Sequence, residues 1–455
     1  MAYPRKLDLA IESTRKLARI GASVNLVNLL RKMRPEDVAV IFGNLTDGER
    51  LFAFRSLLKQ DGDFVAQTIS AMPPKEGAAL LAHLEPVAIA DLLQKLPVDD
   101  ATELTSKLPP ELAEQVLEVM NVARSADVVD QLQFEENTAG RIMNPNVFAL
   151  HEDMSVGEAI TTLQRKSDEL EMVFYLYVID DRHHLVGVVS LRQLLLNPPS
   201  TPLRKIMSTD VISVHTSTDQ EEVARVVSKY DLLAVPVVDD ENRLVGIITV
   251  DDVIDVLREE ATEDIYALAG VDTDEKVTTP SLRSIQLRFP WLFANLLTAI
   301  LAAGVVYLFQ DTISKVVAAA TLMTIVAGQG GNAAIQTITV IVRGLALGEV
   351  TWANARRVLF KEILVGTGNG LLIGGIMAVV ALFWFKKPML GVAIGLALII
   401  NLFVAGLFGT LIPLFLRWLK LDPALASGVI VTTFTDVCGF FSFLGLVTLL
   451  LNWMQ

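Results

Sequence analysis

The sequence predicts a multi-domain membrane protein. Its parts are an all-α superhelical N-terminal domain, an α/β unit that occurs twice, an acidic connecting helix and a transmembrane domain of five α-helices. Three observations predict this. Apolar residues concentrate after about position 290 of a 455-residue chain whose mean hydropathy is +0.47. Hydrophobic residues recur at twelve-residue spacing as Met72, Leu84, Leu96, Leu108 and Met120. A pattern of apolar strands around an acidic turn occurs twice between about 143 and 257.

Composition narrows the function. Net charge is −14, which argues against nucleic acid as a partner and for cations. The one cysteine, Cys438, lies in an apolar run, so disulfides play no part. The chain has no Cys/His zinc spacing, no phosphate-cradling Gly-Lys-Ser/Thr loop and no nucleophile elbow. An enzyme is therefore not expected. The start, Met1-Ala2-Tyr3-Pro4-Arg5-Lys6, leads into a polar amphipathic stretch and predicts no cleavable signal peptide.

The N-terminal domain is assigned to residues 1–135. Pro73, Pro86, Pro97 and Pro109 follow the recurring hydrophobic positions. Proline near a first turn starts one short helix and ends the one before it, so the spacing predicts a small superhelix of two-turn helices. Asp91, Asp99, Asp100 and Glu103 read as solvated faces unless an acidic partner lies near them.

The two copies of the α/β unit are assigned to 136–200 and 201–257. The first opens Ile142-Met143-Asn144-Pro145 and reaches Tyr177-Val178-Ile179-Asp180, then Leu185-Val186-Gly187-Val188-Val189-Ser190. The second opens Ile206-Met207-Ser208-Thr209 and reaches Val235-Pro236-Val237-Val238-Asp239, then Leu244-Val245-Gly246-Ile247-Ile248-Thr249. Each predicts a strand, an amphipathic helix, two strands around an acidic turn and a closing helix. The pattern resembles a tandem pair of CBS domains. That resemblance implies a regulatory module that often binds adenine nucleotides, with Arg192, Thr249 and Asp252 as the candidate residues.

An acidic helix, assigned to 251–282 and overlapping the second copy, carries Asp251, Asp252, Asp255, Glu259, Glu260, Glu263 and Asp264. Like charges at helical spacing repel. If a second acidic surface docks on this helix, multivalent cations are needed to hold the two together.

The transmembrane domain is assigned to 283–455. Five apolar stretches, roughly 291–309, 314–342, 362–385, 389–415 and 424–451, pass the length of about 20 residues that a span requires. Arg283, Arg288, Arg343, Arg356, Arg357, Lys361, Arg417 and Lys420 lie on one side, and Lys315, Lys386 and Lys387 on the other. The positive-inside rule then makes the N-terminal region cytoplasmic, and an odd number of spans puts Gln455 outside. In the second stretch, Gly328-Gln329-Gly330-Gly331-Asn332 is expected to break the helix locally. The many glycines of these stretches read as close helix packing. Asp422, before Pro423, reads as a cap of the fifth span. Asp436 stands alone in Thr432-Thr433-Phe434-Thr435-Asp436-Val437-Cys438-Gly439. A carboxylate at membrane depth costs about 2.5–3.5 kcal/mol even on insertion scales, so the residue is expected to face a protein-lined path and attract a cation.

Taken in order, these parts resemble the MgtE-type magnesium transporters of bacteria over nearly the full length. The motifs that carry the resemblance are Asp219-Gln220-Glu221-Glu222-Val223-Ala224-Arg225, Thr249-Val250-Asp251-Asp252-Val253, Glu260-Ala261-Thr262-Glu263-Asp264-Ile265, Gly330-Gly331-Asn332, Asp422-Pro423-Ala424 and Asp436-Val437 with Gly439. The resemblance implies a homodimer in the inner membrane with a pore on its two-fold axis, and a connecting helix that acts as a plug. Asp436, Thr432, Asp422 and Asn332 would serve the pore, and hydroxyls of Thr432 or Thr435 and carbonyls near Thr432 are second contributors. Mg²⁺ would also bind between the N domain, the CBS pair and the plug helix. Asp91, Glu221, Asp231, Asp252, Asp255, Glu260, Glu263 and Asp264 are the matching acids. High internal magnesium would hold the plug closed, and transport would be passive.

The chain departs from the family pattern at several points. Val87 stands where an acidic partner of Asp91 is found. Gln193 follows Arg192 where an acid would help bind nucleotide, and Leu232 stands where an aromatic would stack on adenine. Both count against ATP, although Asp252 is present. Two other readings stay open: a carrier of Co²⁺, Ni²⁺ or Mn²⁺, which the lack of His or Met near Asp436 disfavours, and a membrane-anchored CBS nucleotide sensor.

Overall fold

A computed structural model describes residues 2–166, 175–277, 279–424 and 427–454. The chain divides into two compact units, Met1–Val256 and Leu257–Gln455.

The first unit opens with helices α1 (Ala2–Arg19), α2 (Ser23–Leu30), α3 (Pro35–Gly43), α4 (Asp47–Leu58), α5 (Gly62–Ser70), α6 (Pro74–Leu81), α7 (Pro86–Leu93), α8 (Val98–Ser106), α9 (Pro110–Val119) and α10 (Val122–Leu132). From α6 onward each helix starts twelve residues after the last, as the sequence periodicity requires. Pro74, Pro86 and Pro110 stand in first turns, where the missing N–H costs nothing. Met72, Leu96, Leu108 and Met120 are buried just before α6, α8, α9 and α10, and Leu84 is half-buried before α7. They join Phe42, Phe54, Leu57, Leu81 and Leu93 in one core.

A short helix, α11 (Ala139–Ile142), leads into the repeats. The first comprises β1 (Ala149–His151), α12 (Val156–Lys166), β2 (Tyr175–Ile179), β3 (Leu185–Ser190) and α13 (Leu191–Leu196). The second comprises β4 (Val214–His215), α14 (Gln220–Tyr230), β5 (Ala234–Val238), β6 (Leu244–Thr249) and the start of α15 (Val250–Ala269). Each sheet has three strands in sequence order, its first pair parallel and its second antiparallel. The repeats exchange their opening segments. Asn144 bridges to Ile247 and Ser208 to Val188. Met143 packs against Gly246, and Met207 against Gly187, so closely that neither glycine has room for a Cβ. The repeated Ile-Met and Val-Gly motifs are the two halves of this crossed contact.

The second unit contains five helices long and apolar enough to span a membrane: α16 (Ser281–Leu308), α18 (Ala318–Ala346), α19 (Ala355–Phe385), α20 (Pro388–Trp418) and α21 (Ser427–Leu449). The short α17 (Gln310–Lys315) joins the first two, and α22 (Leu451–Met454) follows the last. Helix α20 is the most enclosed and packs on α18, α19 and α21. Its partnership with α19 runs on small residues. A Cβ at Gly370 would stand 2.8 Å from Ile399 Cα, and one at Gly374 2.6 Å from the Gly395 carbonyl. Backbones approach this closely only without side chains between them.

Two expectations are corrected. Helix α18 runs unbroken through Gly328–Asn332. Its glycines serve packing: Gly330 sits directly against Asn401 of α20. Asp422 does not start the fifth helix, since α21 begins at Ser427. Its carboxylate instead closes a turn by accepting from the Ala424 N–H at 2.8 Å.

Candidate functional site

Asp436 lies near the middle of α21 and is half-buried. Among the described residues nothing donates to its carboxylate, and no lysine or arginine neutralises it. One turn earlier, the Thr432 hydroxyl donates to the Gly428 carbonyl at 2.8 Å. Thr435 is wholly buried and donates to the Thr432 carbonyl at 3.0 Å. The Thr435 side chain is thus enclosed, whereas Thr432 is half-buried. Asn332 is exposed on α18. Thr321, Thr324, Gly328, Gln336 and Thr339 are exposed with it, at spacings that draw one polar stripe along the helix. Glu362 is the other carboxylate in a span. It is buried near one end of α19 and takes an ion pair from Lys361 at 2.6 Å.

In the same unit, the second half of α15 meets the membrane helices. Ala267 and Leu268 share a buried cluster with Ala334, Ile338 and Val431. Beside it, burial and the Asp422 and Glu263 charges raise the Asp264 carboxyl to about 6. Burial, Asp422 and Glu259 likewise raise Glu263. Asp422, grouped with the pore in the sequence reading, is thus electrostatically coupled to the connecting helix.

The first unit holds a cleft of about 890 Å³ between its N-terminal helices and its repeats. Carboxylates of Glu36, Asp99, Asp100, Asp251, Asp252 and Asp255 line it, against the cations Lys95 and Arg124. Asp252 accepts from the Thr249 hydroxyl at 2.6 Å. Burial, aided by the Asp251 and Asp100 charges, raises its carboxyl to about 6. Burial also raises Asp100, with Asp251 and Asp255 adding to it and a 2.5 Å hydrogen bond from Ser70 opposing it. Asp99 and Asp100 are therefore not a solvated face: their acidic partners stand opposite. Sequence reasoning read this pair as solvated unless an acidic partner lay near, and it left Asp251 out of the matching acids. The doubled aspartates at both 99–100 and 251–252 were the available signal.

Most other predicted residues are not among those that line the cleft. Asp91 and Glu221 are exposed. Asp231 ends α14 with φ +51°, in the left-handed region. Asp255 lines the cleft, whereas Glu260 lies further along α15, past the boundary of the first unit. Arg192 is exposed and does not join Thr249 and Asp252. Gln193 is consumed in a capping box with Ser190, and Leu232 packs in the core of the second repeat. With six carboxylates against two cations, the cleft does not fit a triphosphate. Among the described residues no three His, Cys, Asp or Glu side chains converge on a point that encloses a bare metal ion. The all-oxygen donor set suits a hard cation that keeps its water shell.

Comparison with known proteins returned three family models. A divalent cation transporter domain, MgtE, matches residues 323–446, and the MgtE intracellular N domain matches 33–137. CBS domains match 139–198 and 203–259. The magnesium transporter MgtE of Thermus thermophilus is 35% identical over 437 residues, covering 95% of this chain and 96% of its own. The magnesium transporter MgtE of Bacillus subtilis is 31% identical over 432 residues, covering 95% of each. A crystal structure of the cytosolic domain of the Mg²⁺ channel MgtE in complex with ATP aligns with a TM-score of 0.51 at 33% identity, covering 54% of this chain and 99% of that one.

Proposed function

The chain belongs to the MgtE family of divalent cation transporters, and from that premise we propose that it is a magnesium channel that admits Mg²⁺ passively and is closed by internal Mg²⁺. It acts as a homodimer in the cell membrane of a bacterium, its N-terminal region cytoplasmic and its C-terminus outside. The observation that carries this reading is the pairing of an unneutralised Asp436 at mid-span with the exposed polar stripe of α18. Neither belongs against lipid, where unsatisfied polar groups are costly. A second copy, with water between the two stripes, satisfies both. Mg²⁺ dehydrates reluctantly, so two carboxylates from two protomers draw it through with its inner waters in place. The oxygen-only lining favours Mg²⁺ over Co²⁺ and Ni²⁺.

Closure follows from linkage. The acids of the cleft repel one another, as do separately those around Asp422, until a divalent cation bridges the members of each group. The ion favours the closed arrangement by binding it better than the open one. No ATP is assigned to the cleft, whose charge opposes it.

Single-channel recording with Mg²⁺ as the sole permeant cation tests the proposal. Unitary currents that shut as cytoplasmic Mg²⁺ rises are the expected result. Steady flux without unitary events would make the protein a carrier, and nucleotide binding without any flux would make it a sensor.

A further inference from the structure

Asn401 lies near the middle of α20 and is wholly buried. Its Nδ2 donates to the Val326 carbonyl of α18 at 2.9 Å, which fixes the orientation of the amide. Its Oδ1 is buried with no hydrogen-bond partner. An unmatched amide oxygen in an apolar interior is costly, and a side chain that only filled space would not need one.

Two glycines from different helices admit this side chain. A Cβ at Gly439 of α21 would stand 2.7 Å from Asn401 Nδ2, and one at Gly330 of α18 would overlap the same atom. Neither position accepts even alanine unless Asn401 moves. Both glycines sit beside the candidate ion contacts in sequence. Gly439 follows Asp436 by three residues on α21, and Gly330 precedes Asn332 by two on α18. The carboxamide is thus wedged between the two helices that carry those residues, at the depth where they stand.

We propose that Asn401 is a positioning residue for ion passage, setting the separation and register of α18 and α21 at the level of Asp436 and Asn332. The inference rests on the reading of Asp436 as the pore acid. The hydrogen bond to Val326 fixes α18 along α20, and the close fit at Gly439 fixes α21. An apolar side chain of the same branched outline keeps the space filled but releases α18 to slide.

The test is Mg²⁺ uptake into proteoliposomes by the full-length chain, measured against external Mg²⁺ with Mn²⁺ as competitor. Asn401→Leu keeps the branched outline, at a larger volume, and removes the donor. The double variant Asn401→Ala with Gly439→Ala refills the wedge with two methyl groups and decides the matter if the leucine variant fails to insert. Both are expected to raise the half-saturating Mg²⁺ concentration, or lower the Mg²⁺/Mn²⁺ preference, by about tenfold, with the maximal rate changed less. Wild-type half-saturation and preference in either inserted variant would overturn the proposal. Asp436→Asn, run beside them, separates the two ideas. If it abolishes uptake while the Asn401 variants behave as wild type, only the positioning role falls; if it leaves uptake intact, the pore reading falls.

Discussion

The same side chain does two kinds of work in the two units. In the first unit aspartates are crowded: Asp99, Asp100, Asp251, Asp252 and Asp255 line one cleft. Among the described residues of the five spans there are two carboxylates, and they differ again. Glu362 is buried and paired with Lys361 at 2.6 Å, whereas Asp436 is half-buried without a partner. Beside water a carboxylate is cheap, so what matters is how many repel one another and how much cation relieves them. In a membrane one carboxylate is expensive, so what matters is where it stands and what it lacks. On the proposed function, crowding measures magnesium and isolation conducts it.

Asp436→Ala tests the isolated acid and carries the largest expected effect. Magnesium rescue of a transport-deficient strain should be abolished while the proposed dimer stays intact on size-exclusion chromatography. Uptake at the wild-type level would deny any pore role to this residue. Neutralising Glu260, Glu263 and Asp264 together tests the acids further along α15, outside the cleft. On the proposed function millimolar Mg²⁺ should protect the wild-type protein from protease; the triple variant should gain little protection, and its channels should stay open at internal Mg²⁺ expected to close the wild type. Unchanged protection would mean that these acids do not sense the ion.

The smallest expected effect is on pH. Asp252 and Asp264 are both raised to about 6 in the present arrangement, against about 4 when solvated and apart. A carboxyl with the higher pKa when its neighbours are close binds its proton more tightly there. The arrangement with these acids close together is therefore favoured as pH falls through the window from about 6 to about 4, and this contribution is lost as pH rises above it. Without divalent cations, proteolysis should be slower at pH 5.5 than at pH 7.5. Asp100→Asn together with Asp252→Asn should flatten that difference, and a pH response undiminished in the double variant would place the titrating groups elsewhere.

Much of this was legible in the sequence because the signals were local. Proline at a first turn fixes a helix start by its own φ, so Pro73, Pro86, Pro97 and Pro109 fall within one residue of the starts of α6 to α9. Span lengths follow from membrane thickness, and the alternation of Leu-Val-Gly-Val-Val and Leu-Val-Gly-Ile-Ile fixes the strands. Errors arose where a residue answers to a distant partner. Gly328–Asn332 read as a helix break because glycine lowers helix propensity, but Asn401, 71 residues after Gly330, occupies the space that Gly330 leaves. Asp99 and Asp100 read as solvent-facing because their partners, Asp251 and Asp255, come some 150 residues later.

The sequence alone determined the kinds of element, their order, the family and the single acid at mid-span, because these depend on periodicity, chain stiffness and the cost of charge in hydrocarbon. Tertiary structure decided which polar groups meet. It set six carboxylates around one cleft, coupled Asp422 to the connecting helix, crossed the opening segments of the two repeats and closed two helices around Asn401. Such pairings depend on distances across the fold, and a linear pattern carries no record of distance.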